Sequence, residues 1–171
     1  MSTLPIITIP DPVLRQEAEQ VERIDDDLKR LIDDMFDTMY EAPGIGLAAP
    51  QIGVLRRLVV MDPARDDDEP EPLVMINPTI LERSEAMRSH EEGCLSIPEQ
   101  TAEIERPAII RVSYLDAEGK PQEGSFEDLW STLVQHEVDH LNGVLFIDYL
   151  SRLKRDMIVR KLTKSKKAEV L

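Results

Sequence analysis

The sequence contains one cysteine, Cys94, so no disulfide can form within the chain. Aromatic residues make up only 4% of 171 positions, and the core must therefore be built mainly from aliphatic side chains. No apolar run approaches the roughly 20 residues that span a bilayer, and the N-terminus lacks both a basic n-region and a long apolar segment. We expect one domain over residues 1–171, in a reducing cytoplasm, with no membrane partner.

Basic residues are also scarce: 20 stand against 34 acidic ones, which gives a formal net charge of −14. Such an acidic surface argues against DNA as a partner. The basic residues are nevertheless concentrated at the C-terminus, where eight of them fall in the last 20 positions: Arg152, Lys154, Arg155, Arg160, Lys161, Lys164, Lys166 and Lys167. We predict a basic C-terminal helix at about residues 151–168, with Leu153, Met157 and Ile158 on its inner side.

Apolar periodicity predicts an N-terminal helix that begins near Asp27 and ends before Pro43 and Gly44. The following residues, 44–53, are small and lack periodicity, and we interpret them as a loop. Short runs rich in β-branched and aliphatic residues then predict strands at residues 58–61, 73–77, 108–115 and 122–126.

A second helix is predicted to begin at the end of the strand near residues 122–126, with Ser125 and Asp128 spaced as a capping box and Gly143 as its end. Its inward stripe has spacings of four, three and four residues: Leu129, Leu133, His136 and His140. Two histidines therefore continue an apolar face rather than a solvated one.

Residues 136–140 read His-Glu-Val-Asp-His, which is the H-E-x-x-H pattern. Four residues make just over one helical turn, so both imidazoles project from one face and can bind the same ion. Glu137 lies beside them without being a ligand and is available as a general acid/base. The alternative is a structural histidine pair, but the inward stripe and the presence of only three histidines in the chain favour a metal site.

A catalytic metal site usually has three protein ligands. The extended metallopeptidase motif would place a third histidine at position 146, where this sequence has Phe146. The remaining donors are His90, Cys94 or a distant carboxylate, and a deprotonated thiol is the softest and tightest-binding of these. Taken alone, a single cysteine is more often a small buried apolar residue, and His90 is typical of a surface or loop residue.

The segment from Gly44 to Ala49 fits a loose G-x-G-x-x-A dinucleotide fingerprint, but that motif needs a strand before it and a helix after it. Here the predicted order is the reverse. The two glycines better suit an extended backbone against a peptide, with Gln51 donating to a developing oxyanion. A tight structural turn is the alternative that these residues leave open.

Three segments in order, GIGLAAPQIG, EGCLSIP and QHEVDHLNG, together resemble the three signature segments of the peptide deformylase family. The likeness extends to PDPVLR, INP and HLNGVLFIDYLS, and covers the chain from about Ile6 to the basic tail. We therefore expect an α+β fold with antiparallel-rich sheets packed around a central metal-binding helix, and with N-terminal and C-terminal helices.

The resemblance implies that Cys94, His136 and His140 hold one divalent ion, with a water as the fourth ligand. It implies hydrolysis of the N-formyl group from the initiator methionine of newly made polypeptides, in which metal-bound water attacks the formyl carbon and formate is released. Ferrous iron is the ion expected in the cell, and zinc, nickel or cobalt are ions that purified protein can carry.

By the same resemblance Glu137 is the acid/base, while the Gln51 side chain and the Leu95 backbone N–H stabilise the oxyanion. The substrate pocket would be formed by these residues: Gly44, Ile45, Gly46, Glu92, Gly93, Leu129, Leu133 and His136. Contact of the basic C-terminal helix with the ribosome is also implied, because phosphate-rich RNA suits such a helix. A merely solubilising tail is the alternative.

Two positions depart from the family pattern: Thr101 replaces an arginine near the substrate backbone, and His90 replaces an aliphatic pocket residue. These departures bear on substrate affinity rather than on the reaction. Two other functions are weighed against deformylation: a metallopeptidase that cuts internal peptide bonds, and a metal-containing or ribosome-binding protein without turnover.

Overall fold

The structure, a computed structural model, describes residues 2–65 and 67–170, with side chains up to residue 164. Three helices and seven strands lie within that part of the chain. In chain order they are α1 (Asp26–Glu41), β1 (Gly46–Ala48), β2 (Leu58–Met61), β3 (Leu73–Arg83), β4 (Met87–Cys94), β5 (Ile97–Pro107), β6 (Ile109–Leu115), β7 (Pro121–Glu127), α2 (Asp128–Leu141) and α3 (Arg152–Val170). The predicted α+β class is confirmed.

The larger sheet is antiparallel, has the strand order β1-β2-β3-β6-β7, and packs against a helix on each face. Strand β2 shows this arrangement most directly, because all four of its residues are buried. Leu58 and Val60 pack with the apolar residues of α1. Val59 and Met61 point the other way and pack with those of α2. The sheet therefore separates α1 from the helix that bears the histidines.

The prediction of α1 is confirmed. The side chain of Asp25 caps its first turn by accepting from the Leu28 N–H at 2.9 Å. Its buried face is apolar apart from one threonine: Leu28, Ile32, Met35, Thr38 and Met39. The helix ends at Ala42, immediately before Pro43, as the sequence predicts.

The prediction that residues 44–53 form a loop is wrong in part. Gly46–Ala48 pairs with β2 as the short edge strand β1, and Ala49–Ile52 forms a 3-10 turn. Three residues are too few to show alternation, so this strand is specified by tertiary pairing rather than by local pattern.

Strands β2, β6 and β7 lie where the sequence predicts them, whereas β3 continues past the predicted end at residue 77 to Arg83. A proline at position 78 predicts the end of a strand, because proline has no N–H to donate to the strand ladder. Pro78 lies at a register shift between Ile76 and Thr79, where the ladder tolerates the loss of that hydrogen bond.

The hairpin formed by β4 and β5 was not predicted at all. These strands pair with each other to form a separate two-stranded sheet. Charged residues occur on both of their faces, as at Glu91, Glu92 and Glu103, so the alternation that identifies a half-buried strand is weak. An apolar cluster beneath the hairpin, which includes Ile97, Ile104 and Phe146, stabilises it instead.

Helix α2 is also confirmed, but Leu129, the first residue of its predicted inward stripe, is 41% exposed, and its predicted capping box is wrong. Ser125 lies in β7, and Glu127, the residue before the helix, makes no side-chain cap. Asp128 has a φ of 56° and forms an ion pair with Arg88 of β4 at 2.5 Å. A strand runs directly into the helix, which leaves no room for a capping turn.

Helix α3 agrees with the predicted basic helix, but its predicted inner side is only partly right. Ile158 packs against the apolar cluster beneath the hairpin as predicted, together with Val159 and Leu162. Leu153 and Met157 are 69% and 49% exposed, so their predicted placement on the inner side is wrong. Two stripes of apolar residues compete on this helix, and only packing decides between them. The side chains of Lys166 and Lys167 lie outside the described residues. Among described residues, no helix combines the length and apolar character of a membrane span.

Candidate metal and active site

The three H-E-x-x-H side chains lie in the most buried part of α2. His136, Glu137 and His140 are 8%, 2% and 1% exposed, and the two imidazole centroids are 5.1 Å apart. Their helical spacing places both rings on the side of α2 that faces the β4–β5 hairpin.

Cys94 completes this group from the last position of β4. Its Sγ lies 3.3 Å from Nε2 of His140, and one ligand atom from each of Cys94, His136 and His140 falls within 4.8 Å of the others. Of the donors that the sequence left open, the thiol joins the histidines, while His90 does not belong to this cluster as far as the structure describes the chain.

The chemistry of the three donors fits a divalent ion. A thiolate and two imidazoles are ligands that zinc and iron accept, at about 2.0–2.3 Å from the ion. Nδ1 of His136 is paired with Oε1 of Glu92 at 2.9 Å, which leaves Nε2 for coordination. A carboxylate behind a histidine in this way is typical of metal centres.

Glu92 is itself held by Arg106, a residue that no local sequence signal identified. Arg106 is 2% exposed and also donates to Asp139 at 2.8 Å, while its guanidinium carbon lies 4.7 Å from the centroid of the Tyr149 ring. The Tyr149 hydroxyl donates to Asp139 at 2.8 Å. Asp139 lies inside the H-E-x-x-H motif, but only the fold brings Arg106 of β5 to it.

Burial, neighbouring charges and hydrogen bonds together shift the pKa values of the three motif residues. Burial raises the pKa of Glu137 to about 7, although the charges of His136 and Arg106 act in the opposite direction. Burial and the charge of His136 lower the pKa of His140 well below its ordinary value. For His136 burial is outweighed by hydrogen bonds to Cys94 and Glu92, and its pKa is raised.

Gln51 and Leu95, the two residues that the sequence associates with an oxyanion, both line the cavity beside Cys94. Oε1 of Gln51 accepts from the Ala48 N–H at 2.9 Å, and Nε2 donates to Oγ of Ser96 at 3.0 Å. Nε2 is also 3.5 Å from the Cys94 sulfur. The buried hydroxyl of Ser96, which the sequence did not single out, thus holds the Gln51 amide in place.

A cavity of about 640 Å³ opens beside these residues. All eight predicted pocket residues line it: Gly44, Ile45, Gly46, Glu92, Gly93, Leu129, Leu133 and His136. Thr101 and His90, the two positions that depart from the family pattern, line it too. The cavity thus joins the Cys94 thiol and Glu137 to an apolar wall formed by α2.

A family model described as polypeptide deformylase matches residues 3–156 of the chain. The peptide deformylase of Rhizobium meliloti is 58% identical over 98% of this chain and 96% of that protein. The chain belongs to the peptide deformylase family. It is thus a metal-dependent hydrolase of the family that removes the N-formyl group from nascent peptides.

Other peptide deformylases are similar to this chain over nearly its whole length. The enzyme of Agrobacterium fabrum is 54% identical over 99% of this chain and 100% of its own length. A crystal structure of the Ehrlichia chaffeensis deformylase superposes with a TM-score of 0.94 at 38% identity, and covers 99% of this chain and 100% of that one. A second structure of that enzyme, in complex with actinonin, gives a TM-score of 0.92 at 41% identity over 96% of this chain and 98% of that one.

Proposed function

We propose that Cys94, His136 and His140 hold one divalent ion, and that the chain uses it to remove the formyl group from the initiator methionine of new polypeptides. The observation that carries this proposal is the group of one thiol and two imidazoles within 4.8 Å, next to a buried Glu137 and a large cavity. A divalent ion supplies Lewis acidity there, which polarises a carbonyl oxygen and lowers the pKa of water.

Glu137 serves as the general acid/base in this proposal. It accepts a proton from the attacking water and later gives one to the leaving amine, and burial favours the protonated form that the second transfer needs. Its Oε1 is buried and has no hydrogen-bond partner among the described residues, so one oxygen is free to make these transfers. Oε2 faces Gly46, where only hydrogen leaves room for the carboxylate.

Gln51 and Leu95 donate hydrogen bonds to the oxyanion that forms when the formyl carbon is attacked. The Ala48 N–H requires an acceptor, so its bond to Oε1 fixes which end of the Gln51 amide is the NH₂ group. That NH₂ group lies next to Cys94 and supports a donor role at this position. Leu95 follows Cys94 directly, so its N–H is adjacent to the thiol residue.

The methionine side chain of the substrate enters the apolar part of the cavity, between Ile45 and the helix residues Leu129 and Leu133. The substrate backbone pairs with Ile45 and Gly93 on the two sides of the cavity. In this proposal the substrate is a formylated chain end rather than an internal peptide bond.

Ferrous iron is the ion that we propose for the cell. The affinity order of divalent ions favours zinc, nickel and cobalt over ferrous iron, so these ions are expected to replace it during purification in air. Metal analysis of anaerobically purified protein tests the proposal. Peroxide should inactivate an iron-loaded enzyme by oxidising the Cys94 thiolate, and activity of the anaerobically purified protein that survives peroxide would contradict iron as its ion.

The basic helix α3 is proposed to contact ribosomal RNA, which would keep the chain near its substrate in the cytoplasm. The described part of α3 carries six basic side chains and one acidic one: Arg152, Lys154, Arg155, Arg160, Lys161, Lys164 and Asp156. We expect Arg160→Glu with Lys161→Glu to abolish cosedimentation with ribosomes at low salt. The control is Arg30→Glu on α1, an exposed charge outside this helix.

Two variants test the catalytic proposal. Glu137→Gln should keep the metal and lose formate release from a formyl-methionyl peptide by about 10²–10⁴-fold, because only the proton transfer is removed. Cys94→Ala should lose the metal, measured by elemental analysis. Unchanged formate release in Glu137→Gln would rule out the mechanism, and cleavage of an unformylated peptide at internal bonds would favour a metallopeptidase.

A further inference from the structure

His90 lies on the face of β4 that points toward the site. Side chains alternate along a strand, so His90 shares a face with Glu92 and Cys94, whereas Ser89 and Glu91 are exposed on the other face. His90 lines the same cavity as Leu129 and Leu133 of α2. It therefore contributes to the same cavity as the proposed methionine pocket, two positions before Glu92.

The Nε2 atom of His90 is buried and has no hydrogen-bond partner among the residues that the structure describes. Buried polar atoms in proteins are nearly always paired. Glu92, on the same face of β4, already accepts from Arg106 and His136 through its two carboxylate oxygens. A buried nitrogen without a protein partner at the wall of a substrate cavity is available to a group that the substrate brings.

We propose that His90 selects the first side chain of the substrate by donating a hydrogen bond from Nε2 to an acceptor on that side chain. This inference rests on the proposed function and adds to it a chemical class of substrate. The walls formed by Ile45, Leu129 and Leu133 offer no donor, so they distinguish side chains by size and shape alone. His90 can donate a hydrogen bond at this position, which an aliphatic side chain cannot do. The cavity can therefore also select side chains by their polarity.

The proposal ranks three side chains of similar length. Norleucine has no acceptor and leaves Nε2 unpaired. The methionine sulfur is a weak acceptor. Methionine sulfoxide carries a strongly accepting oxygen at the same place, so the chain should deformylate peptides whose initiator methionine has been oxidised. A site that hydrogen-bonds a substrate group discriminates against the analogue that lacks it.

The experiment compares kcat/KM for formate release from three formyl peptides that differ only in this first residue. We expect His90→Leu to lower the ratio of sulfoxide to norleucine peptide about tenfold, with the value for norleucine unchanged or raised. His90→Gln should retain most of the ratio, because the glutamine amide can place a donor near Nε2. Ser89→Leu, on the exposed face of the same strand, is the matched control and should leave the ratio unchanged.

Thr132 also lines the cavity and carries a hydroxyl, so Thr132→Val is measured in parallel. A ratio that falls in Thr132→Val and not in His90→Leu would overturn the proposal, as would an equal loss of kcat/KM for all three peptides in His90→Leu. Binding of the same peptides to Glu137→Gln, with and without His90→Leu, is measured by calorimetry. If no peptide released formate, the proposed function would fail, while a His90-dependent difference in binding would still support the selection.

Discussion

The guanidinium group of Arg106 binds both carboxylate oxygens of Glu92, with Nε donating to Oε2 at 2.6 Å and Nη2 donating to Oε1 at 3.0 Å. Burial would raise the pKa of Glu92, but hydrogen bonds from His136 and Arg106 outweigh it and lower the pKa. Glu92 is therefore ionised, and its charge and position are both available to orient the His136 ring.

Glu92→Gln should weaken metal binding roughly 10–100-fold, because the variant removes the charge that holds and polarises His136. The measurement is competition with a chromophoric chelator at fixed pH. Glu91→Gln is the matched control, since Glu91 is the exposed neighbour of Glu92 in β4 and its carboxylate accepts from Thr101 of β5 rather than from a histidine. Equal affinities of the two variants would mean that Glu92 does not support the ion.

Gly46→Ala should reduce formate release about 10²-fold while the metal content stays normal. A Cβ at this position would collide with Oε2 of Glu137 and Cδ1 of Leu133, so the carboxylate must move, and a shift of about 1 Å in a catalytic group costs about that factor. Gly124→Ala in β7 provides the control, because its Cβ would meet only the Phe126 ring at an ordinary distance of 3.4 Å. Full activity in Gly46→Ala would show that the position of Glu137 is not critical.

Gln51→Leu should lower kcat by about 10²–10³, the cost of losing one donor to an oxyanion. It should also lower stability, because the Ala48 N–H and the Ser96 hydroxyl lose their partner. Gln135→Leu separates the two effects, since Gln135 is another buried amide, bonded to Pro107 and Ser131. We expect both variants to be destabilised in urea, and only Gln51→Leu to lose kcat per folded molecule.

Tyr40→Phe should lower the free energy of unfolding by about 1 kcal/mol at neutral pH. The Tyr40 hydroxyl donates to Oδ2 of the buried Asp62 at 2.5 Å. Burial and the Asp62 carboxylate raise the pKa of Tyr40 from 10.0 to about 12. Burial would also raise the pKa of Asp62, but hydrogen bonds from Tyr40 and the backbone outweigh it and lower that pKa.

The pH dependence of the stability lost in Tyr40→Phe follows from the shifted pKa values of Tyr40 and Asp62. The stability due to Tyr40 is fully present below pH 10 and is lost as pH rises toward about 12, because the folded state holds the phenolic proton more tightly. The contribution of Asp62 is present above pH 3.8 and is lost as pH falls through its lowered pKa. Urea denaturation of Tyr40→Phe, Asp62→Asn and the double variant gives the coupling between them. A coupling that is constant from pH 7 to 12 would refute this account.

The elements that could be predicted from the sequence are those in which the spacing of apolar residues shows which faces are buried. Helix α1 has one apolar face, and β2 is apolar throughout because the sheet buries it from both sides. The helical spacing of His136 and His140 was equally visible, since a four-residue interval has a fixed geometry on any helix.

The parts that could not be predicted depend on residues far apart in the chain. Strand β1 exists because of its pairing with β2, and the β4–β5 hairpin is stabilised by a cluster that includes Phe146. The bonds from Arg106 to Glu92 and Asp139 join two strands and a helix, and no local pattern indicates them. From donor chemistry alone Cys94 was one of several possible ligands; the family resemblance singled it out, and the fold places it beside His140.

Cys94 lies in the β4–β5 hairpin and the histidines lie on α2, and among the described residues no strand ladder joins that hairpin to the five-stranded sheet against which α2 packs. An ion shared by Cys94, His136 and His140 would therefore act as a cross-link between the hairpin and α2. Its binding free energy would stabilise the packing of the hairpin against α2. Demetallation would then loosen the hairpin before the rest of the molecule, and the amide protons of β4 and β5 would exchange with solvent first.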